Sequence, residues 1–387
     1  GLIAEAHLRG GDFDLATENL RLLLTSDPRN DEARLMLARI YVRQRNSDKA
    51  IALVDQVLEK TPESGPALRL REEILLSQRK LLPAMLTAKR MLQVEGEKSH
   101  GYVAMGRVYQ AEGKHVEALE AFRQGYTEDR ASMTALTGIV QSHLALKQPD
   151  EAILLVRGVL KEAPQNVYAH NLLGEIYAYQ KIAAKAEAAF LEATQLRQDW
   201  TLPYLNLSRL MVAESKSDRA IAVLKQGLTH VPDDATLQLT LASALQATKD
   251  IDGAINTYRT VLQRNPRLDV AANNLAALIA DFKYGDPENL DNALQLAQRF
   301  QNSDNPFYLD TLGWLHFRKG DYSLAVVFLT KAIEARPDNA YINLHLGMAY
   351  YKAGNAPEAR RFLEKAVAAT DTNPDIVNEA KAALKAL

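Results

Sequence analysis

Eight histidines and a few acidic clusters are the residues of this 387-residue chain whose types could carry chemistry. Histidine serves as a metal ligand or a proton carrier, but only when partners converge on it. His7, His100, His115, His143, His170, His230, His316 and His345 are spread so thinly that no two lie closer than 15 residues. Glu72-Glu73 and Asp233-Asp234 read as helix starts or solvated faces. Asp281, Asp286, Glu288 and Asp291 hold enough carboxylate for a calcium ion, yet their spacing fits no known calcium loop, and a solvent-exposed turn is the simpler reading. The chain has no cysteine, so disulfides, thiolate metal sites and a cysteine nucleophile are excluded. It also lacks a Gly-x-Ser-x-Gly elbow, a phosphate-binding Gly-x-x-x-x-Gly-Lys loop and a dinucleotide fingerprint. The expectation is a chain that is not an enzyme and that uses no cofactor and no metal.

The elements that position these residues must therefore be understood through binding. Lys plus Arg (46) nearly equals Asp plus Glu (48), and no basic domain or stripe is visible along the sequence, so nucleic acid is not the expected partner. Hydrophobic residues at 47% with only 14 prolines suit a folded helical protein. No apolar run reaches the roughly 18 residues of a membrane-spanning helix. Gly1-Leu2-Ile3-Ala4-Glu5 reads as the inside of a helix, so the expected true N-terminus, with any export signal or lipid anchor, lies upstream of it.

Internal periodicity decides the fold. Ala16, Ala50, Ala84, Ala118, Ala152, Ala186, Ala220 and Ala254 follow one another at 34 residues, and Ala325 and Ala359 repeat the step. Twelve residues before each stands a residue that is usually small: Ala4, Ala38, Gly106, Gly174, Ser208, Ala242, Gly313 and Gly347, with Glu72 and Val140 as departures. Two antiparallel helices joined by a short turn approach closely only where small residues face each other. Polar, helix-breaking turns separate the helices, as at Gly10-Gly11-Asp12, Gly113-Lys114, Gln148-Pro149-Asp150, Gly320-Asp321 and Gly354-Asn355. Pro28, Pro62, Pro164, Pro232 and Pro266 close the second helices.

Met105-Gly106-x-x-Tyr109, Ala118 and Phe122, like Leu346-Gly347-x-x-Tyr350, Ala359, Leu363 and Ala366, resemble the tetratricopeptide-repeat (TPR) pattern over essentially the whole chain. The fold this implies is an all-α, right-handed superhelical solenoid of about eleven helix-turn-helix repeats. They are placed at 1–30 (truncated), 31–64, 65–98, 99–132, 133–166, 167–200, 201–234, 235–268, 269–305, 306–339 and 340–373, with 374–387 as a capping helix. In 269–305 the turn carries five extra residues around Asp281–Pro287, read as a loop followed by a helix that starts at an Asp286 N-cap with Pro287.

In TPR proteins the first helix of each repeat lines a concave groove that takes an extended peptide or a helix of a partner protein. Carried over, this resemblance assigns partner binding to Phe307, Asp310, Trp314, Phe317 and Arg318, to Tyr341, Leu344, Met348, Tyr351 and Lys352, and to Tyr168, Asn171, Glu175 and Tyr179. Aromatics with Arg make binding hot spots. For Trp314, Phe317 and Tyr351 the same pattern also fits buried core. The carboxylate grip of chaperone-binding members is not expected, since among the fifth positions only Arg69 is basic and Glu73 opposes it.

The stretches Asn273–Ala280, Asp310–Leu315 and His345–Tyr350 resemble the closing repeats of large bacterial TPR proteins of exopolysaccharide export and PEP-CTERM-type sorting. That resemblance implies a non-catalytic scaffold in the periplasm or cell envelope, lipid-anchored through the missing N-terminus. A cytoplasmic adaptor, and the regulatory TPR part of a larger enzyme or outer-membrane export protein, remain the alternatives.

Overall fold

The computed structural model describes residues 13–369 and 374–387. Ala4, His7, the Gly10-Gly11-Asp12 turn and the first residues of the array lie outside the described residues. Among the described residues the chain is all-α, with twenty-two α-helices and no strand. It divides into two compact units that meet in sequence at Leu210 and Met211.

The first unit contains α1 (Phe13–Ser26), α2 (Asp31–Arg43), α3 (Ser47–Lys60), α4 (Gly65–Ser77), α5 (Leu81–Met91), α6 (Lys98–Ala111), α7 (His115–Glu128), α8 (Met133–Ala145), α9 (Pro149–Glu162), α10 (Val167–Tyr179), α11 (Ala183–Leu196) and most of α12 (Thr201–Ala213). Even-numbered helices here open a repeat and odd-numbered ones close it. The opening helices α2, α4, α6 and α8 each touch the next opening helix, whereas the closing helices α3, α5, α7 and α9 pack on the opening helices before and after them. The row of opening helices is therefore the tighter, inner side of the stack.

The second unit contains α13 (Ser217–His230), α14 (Ala235–Ala247), α15 (Ile251–Arg264), α16 (Asp269–Leu278), α17 (Pro287–Ala297), α18 (Pro306–Lys319), α19 (Tyr322–Ala335), α20 (Ala340–Lys352), α21 (Ala356–Ala368) and α22 (Pro374–Ala386). Ile376, Ala380 and Ala383 of α22 close over Leu344, Leu363 and Ala366, supplying the apolar partner that a terminal repeat otherwise lacks.

The periodic alanines are the points of closest helix contact: Ala16, Ala50, Ala84, Ala118, Ala152, Ala186, Ala220, Ala254, Ala325 and Ala359 are all fully buried. The residue four positions later reaches across to the small residue of the opening helix. A Cβ on Gly106 would stand 2.8 Å from the Phe122 ring, one on Gly174 2.5 Å from Phe190, and one on Gly347 2.7 Å from Leu363. The large side chain fills the space the missing one leaves. In the third repeat the sizes are exchanged: Glu72 occupies the small place and Ala88, fully buried, stands where Phe122 or Leu363 stands elsewhere. Replacing Ala118 or Ala186 by Leu is expected to overpack these contacts and cost roughly 1–3 kcal/mol. Unchanged thermal melting of both variants would show the register to be wrong.

Helix ends follow from local chemistry. Asn30, Ser132, Asn166, Asp234 and Asn339 each accept a hydrogen bond from the backbone N–H three residues on, starting an opening helix. The turn inside nine of the repeats passes through one left-handed residue, and this position recurs at 34 residues: Arg45, Arg79, Gly113, Lys147, Lys181, Ser215 and Lys249, then Gly320 and Gly354. The N–H after it bonds back five residues, as from Asn46 to Tyr41 and from Gln148 to His143, which closes the opening helix. Glycine is the usual residue in this conformation; six of these nine positions carry a side chain, with the returning hydrogen bond holding the conformation.

The five-residue insertion differs from the expected loop. After α16 the chain continues as a π-helical turn from Ile279 to Lys283, so the extra residues widen the helix before the chain leaves it. Asp286 then caps α17 through the N–H groups of Glu288 and Asn289.

Candidate functional site

Two of the C-terminal aromatics assigned to an open groove, Trp314 and Phe317, are packed between helices. Trp314 is 4% exposed and Phe317 8%. The Trp314 ring lies between Phe317, with centroids 4.5 Å apart, and His345, at 4.1 Å, both nearly parallel to it. Its Nε1 donates to Asp281 Oδ1 at 2.9 Å, and Arg318 closes the stack with its guanidinium 4.4 Å from the Trp314 ring and 3.9 Å from Tyr284. Arg318 Nε donates to the Ala280 carbonyl freed by the π turn, at 2.9 Å. Asp310 binds His345 Nδ1 at 2.9 Å. Burial disfavours the charged imidazolium of His345, but Asp310, with Asp281 and Glu379, outweighs it and raises the pKa above its ordinary value. The inserted turn is thus what Trp314 faces, and both Trp314 and Phe317 are buried.

Of the other carried-over residues, Leu344 is buried and Met348 packs beside it. Phe307 and Tyr341 are exposed, at 48% and 47%, and so is Lys352. Tyr351 is half-buried, its hydroxyl 3.5 Å from the Ala386 carbonyl of α22. Three of the four carboxylates weighed for calcium are otherwise engaged: Asp281 with Trp314, Asp286 as the cap, and Asp291 with Lys319. His143 is buried between helices and faces Gln148 and Arg123.

The first unit brings different residues together. On its inner side, α6, α8, α10 and the start of α12 wall a cleft of about 490 Å³. Phe122 lies in its lining beside Gly138, where a Cβ would collide with the ring. Met133, Leu202 and the Tyr168–Trp200 pair, with ring centroids 4.7 Å apart, form an apolar wall. Arg107, Gln110, Thr137, Gln141, Asn171 and Glu175 supply polar groups. Tyr168 is 38% exposed and its hydroxyl accepts from Arg197 at 3.1 Å, which fixes the ring against Trp200. Tyr179, at 49% exposure, is the most open aromatic of α10.

Two acids of this inner side are unusual. Asn171, buried at 2% exposure, donates to Glu175 Oε1 at 2.8 Å, and Asn206 Nδ2 donates both to that oxygen and to Asn171 Oδ1, each at 3.0 Å. Burial raises the Glu175 pKa against the opposing effect of these amides and of Arg209. Glu72, 2% exposed, meets Arg107 Nη1 at 3.1 Å through Oε2 while Oε1 has no partner. Burial, opposed by Arg107 and aided by Glu73, pushes its pKa up to about 7.

Tyr168, Asn171 and Glu175 were legible as groove positions. Thr137, Arg107 and Gln141 hold the equivalent fifth and ninth positions of the two preceding repeats, so the same rule applied to the central repeats finds them. Trp200 had no such signal, because it stands in the turn before α12.

A family model for the tetratricopeptide repeat matches residues 7–74, 109–176, 211–279 and 316–385. Anaphase-promoting complex subunit 7 of Arabidopsis thaliana is 26% identical over 163 residues, which is 42% of this chain and 29% of that protein. A TPR repeat-containing protein of Pseudomonas aeruginosa is 27% identical over 146 residues, 37% of this chain and 24% of that protein. The chain thus spans less than a third of the length of these relatives. Among solved structures, the Cut9–Hcn1 hetero-tetramer of the anaphase-promoting complex has a TM-score of 0.45 at 12% identity, covering 98% of this chain and 88% of that one. Yeast Tom70 gives 0.41 at 14%, covering 98% and 94%. With helix pairs on a 34-residue period, small residues at every crossing and four matched segments across most of its length, the chain belongs to the tetratricopeptide repeat family of protein-interaction scaffolds.

Proposed function

We propose that this chain is a non-catalytic scaffold that holds an extended segment of a partner protein in the inner cleft of its first unit. The observation that carries the reading is the cleft itself, where a fixed Tyr168–Trp200 wall stands opposite Arg107, Gln110, Thr137 and Gln141. An aromatic wall anchors a side chain, and amide and hydroxyl groups along it satisfy the backbone polar groups that an extended segment brings with it. The resemblance of the closing repeats to exopolysaccharide-export and sorting proteins supports a place for this scaffold in the bacterial envelope. Fractionation of cells carrying the full-length gene tests that placement, and recovery in the cytosol alone overturns it.

The cleft is tested by position. A photo-crosslinking residue at the exposed Gln141 of α8 should capture a partner from an extract of the same cells, whereas one at Val116, 64% exposed on α7, should not. Capture from Val116 and none from Gln141 would move the binding surface to the closing helices.

A further inference from the structure

Charge is distributed unequally between the two rows of helices in the first unit. The opening helices α2, α4, α6, α8, α10 and α12, as far as Leu210, carry eight Lys and Arg against five Asp and Glu. The closing helices α1, α3, α5, α7, α9 and α11 carry nine against thirteen. The two rows thus differ in sign, although the whole chain has a net charge of only -2. Two of the five inner acids, Glu72 and Glu175, are withdrawn from the surface and bonded to Arg107 and to Asn171 and Asn206.

The inner bases also share a register. Arg39, Arg107 and Arg209 are the ninth residues of their repeats and so project from the same face of α2, α6 and α12. Arg39 and Arg209 are exposed, and Arg107 lines the cleft with 39% of its side chain open to solvent. Arg209 Nη1 donates to Asn206 Oδ1 at 3.2 Å, which places it beside the Glu175 end of the cleft. The apolar wall of Met133, Tyr168, Trp200 and Leu202 lines the same cleft as Arg107 and Glu175. A basic inner row set against an acidic outer row steers an anionic ligand to one side of the molecule and repels it from the other.

Resting on the cleft reading above, we infer that the occupant is an acidic polypeptide segment, with an aliphatic or aromatic side chain seated against Tyr168 and Trp200 and Asp or Glu residues reaching Arg107 and Arg209. A flat polyanion would use the arginines alone. The apolar wall of the same cleft favours a polypeptide, which carries both kinds of group on one extended strand.

The two tryptophans provide a local readout, since Trp200 lies in the cleft and Trp314 is buried in the second unit. The full chain labelled with 5-fluorotryptophan is titrated with three synthetic fifteen-residue peptides of Leu and Ser interspersed with Glu, with Lys or with Gln, and with a fifteen-nucleotide oligothymidylate. Fluorine NMR follows both resonances, assigned with Trp200→Phe, and anisotropy of the labelled ligand measures total binding. The Glu peptide should move the Trp200 resonance and leave that of Trp314 in place. Its affinity should fall on raising salt, and by on the order of tenfold in Arg39→Gln/Arg209→Gln, a variant at exposed positions that does not disturb the Glu72 pair. Equal or tighter binding of the Lys or Gln peptide at Trp200 overturns the acidic class and leaves the cleft reading intact. Binding of the Glu peptide with Trp200 unmoved overturns both. Oligothymidylate binding as tightly as the Glu peptide overturns the polypeptide assignment in favour of a general polyanion.

Discussion

Glu72→Gln should unfold at higher urea concentration than the parent at pH 8 and at nearly the same concentration at pH 4. Burial pushes the Glu72 carboxyl from 4.5 up to about 7, so the folded chain holds a proton that the unfolded chain releases. The stability linked to that proton is present below about pH 4.5 and is lost as pH rises through about 7. One pKa unit corresponds to about 1.4 kcal/mol, which makes the loss about 3 kcal/mol. Glutamine stays neutral at every pH and keeps the volume, while Arg107, 39% open, regains water when its partner is removed. Urea midpoints of both proteins between pH 4 and 8 give the comparison. A difference that does not change with pH would mean that Glu72 titrates alike in the folded and unfolded chains and that the Arg107 pair fully offsets burial.

Phe122→Ala should cost about 3–5 kcal/mol, the range for emptying a packed aromatic site. The ring is 1% exposed and serves two contacts at once, filling the space over Gly106 in its own repeat and over Gly138 in the next. Its loss loosens both the hairpin of α6 and α7 and the junction of α7 with α8, and with them the lining of the cleft. Gly138→Leu approaches the same contact from the other side by forcing the ring out of place. Hydrogen exchange should show faster opening of α6 to α8 in both variants, with α18 to α21 unaffected. Exchange unchanged in α8 would sink the account of the ring as a bridge between repeats.

Much of the architecture was legible because it rests on spacing. Ala118 and its equivalents must be small wherever two helices cross, so every repeat states the same requirement, and repetition separates it from chance. The terminal helix α22 was legible for a related reason, since the last repeat leaves an apolar face that only another helix covers. The insertion after Ala276 was visible as a change of spacing, but its form was not. Whether extra residues loop out or widen a helix depends on who receives the freed groups, and here Trp314 takes Asp281 and Arg318 takes the Ala280 carbonyl across more than thirty residues of sequence.

The candidate site divides along the same line. The family's repeat positions say which side of an opening helix faces inward, so Tyr168 and Glu175 could be named from the resemblance, and both line the cleft. Register does not say whether an inward side chain is reached by solvent. Phe307 and Trp314 share one face of the same helix, about two turns apart, yet one is 48% exposed and the other 4%, because the inserted turn and His345 cover only the second. Trp200 shows the converse, a turn residue outside the repeat's rule that folds back onto Tyr168.

By itself, then, the sequence determined a helical array of the tetratricopeptide kind, its period, its points of helix contact and the absence of cysteine chemistry. These depend on composition and on contacts within one or two repeats, where chain distance limits the choices. Tertiary structure alone decided which inward residues are open, which acids lose contact with water and how charge is shared between the two helix rows. Each of those depends on neighbours brought from other repeats, and the free energy of burying a carboxylate or an indole is set by that surrounding and not by the residue.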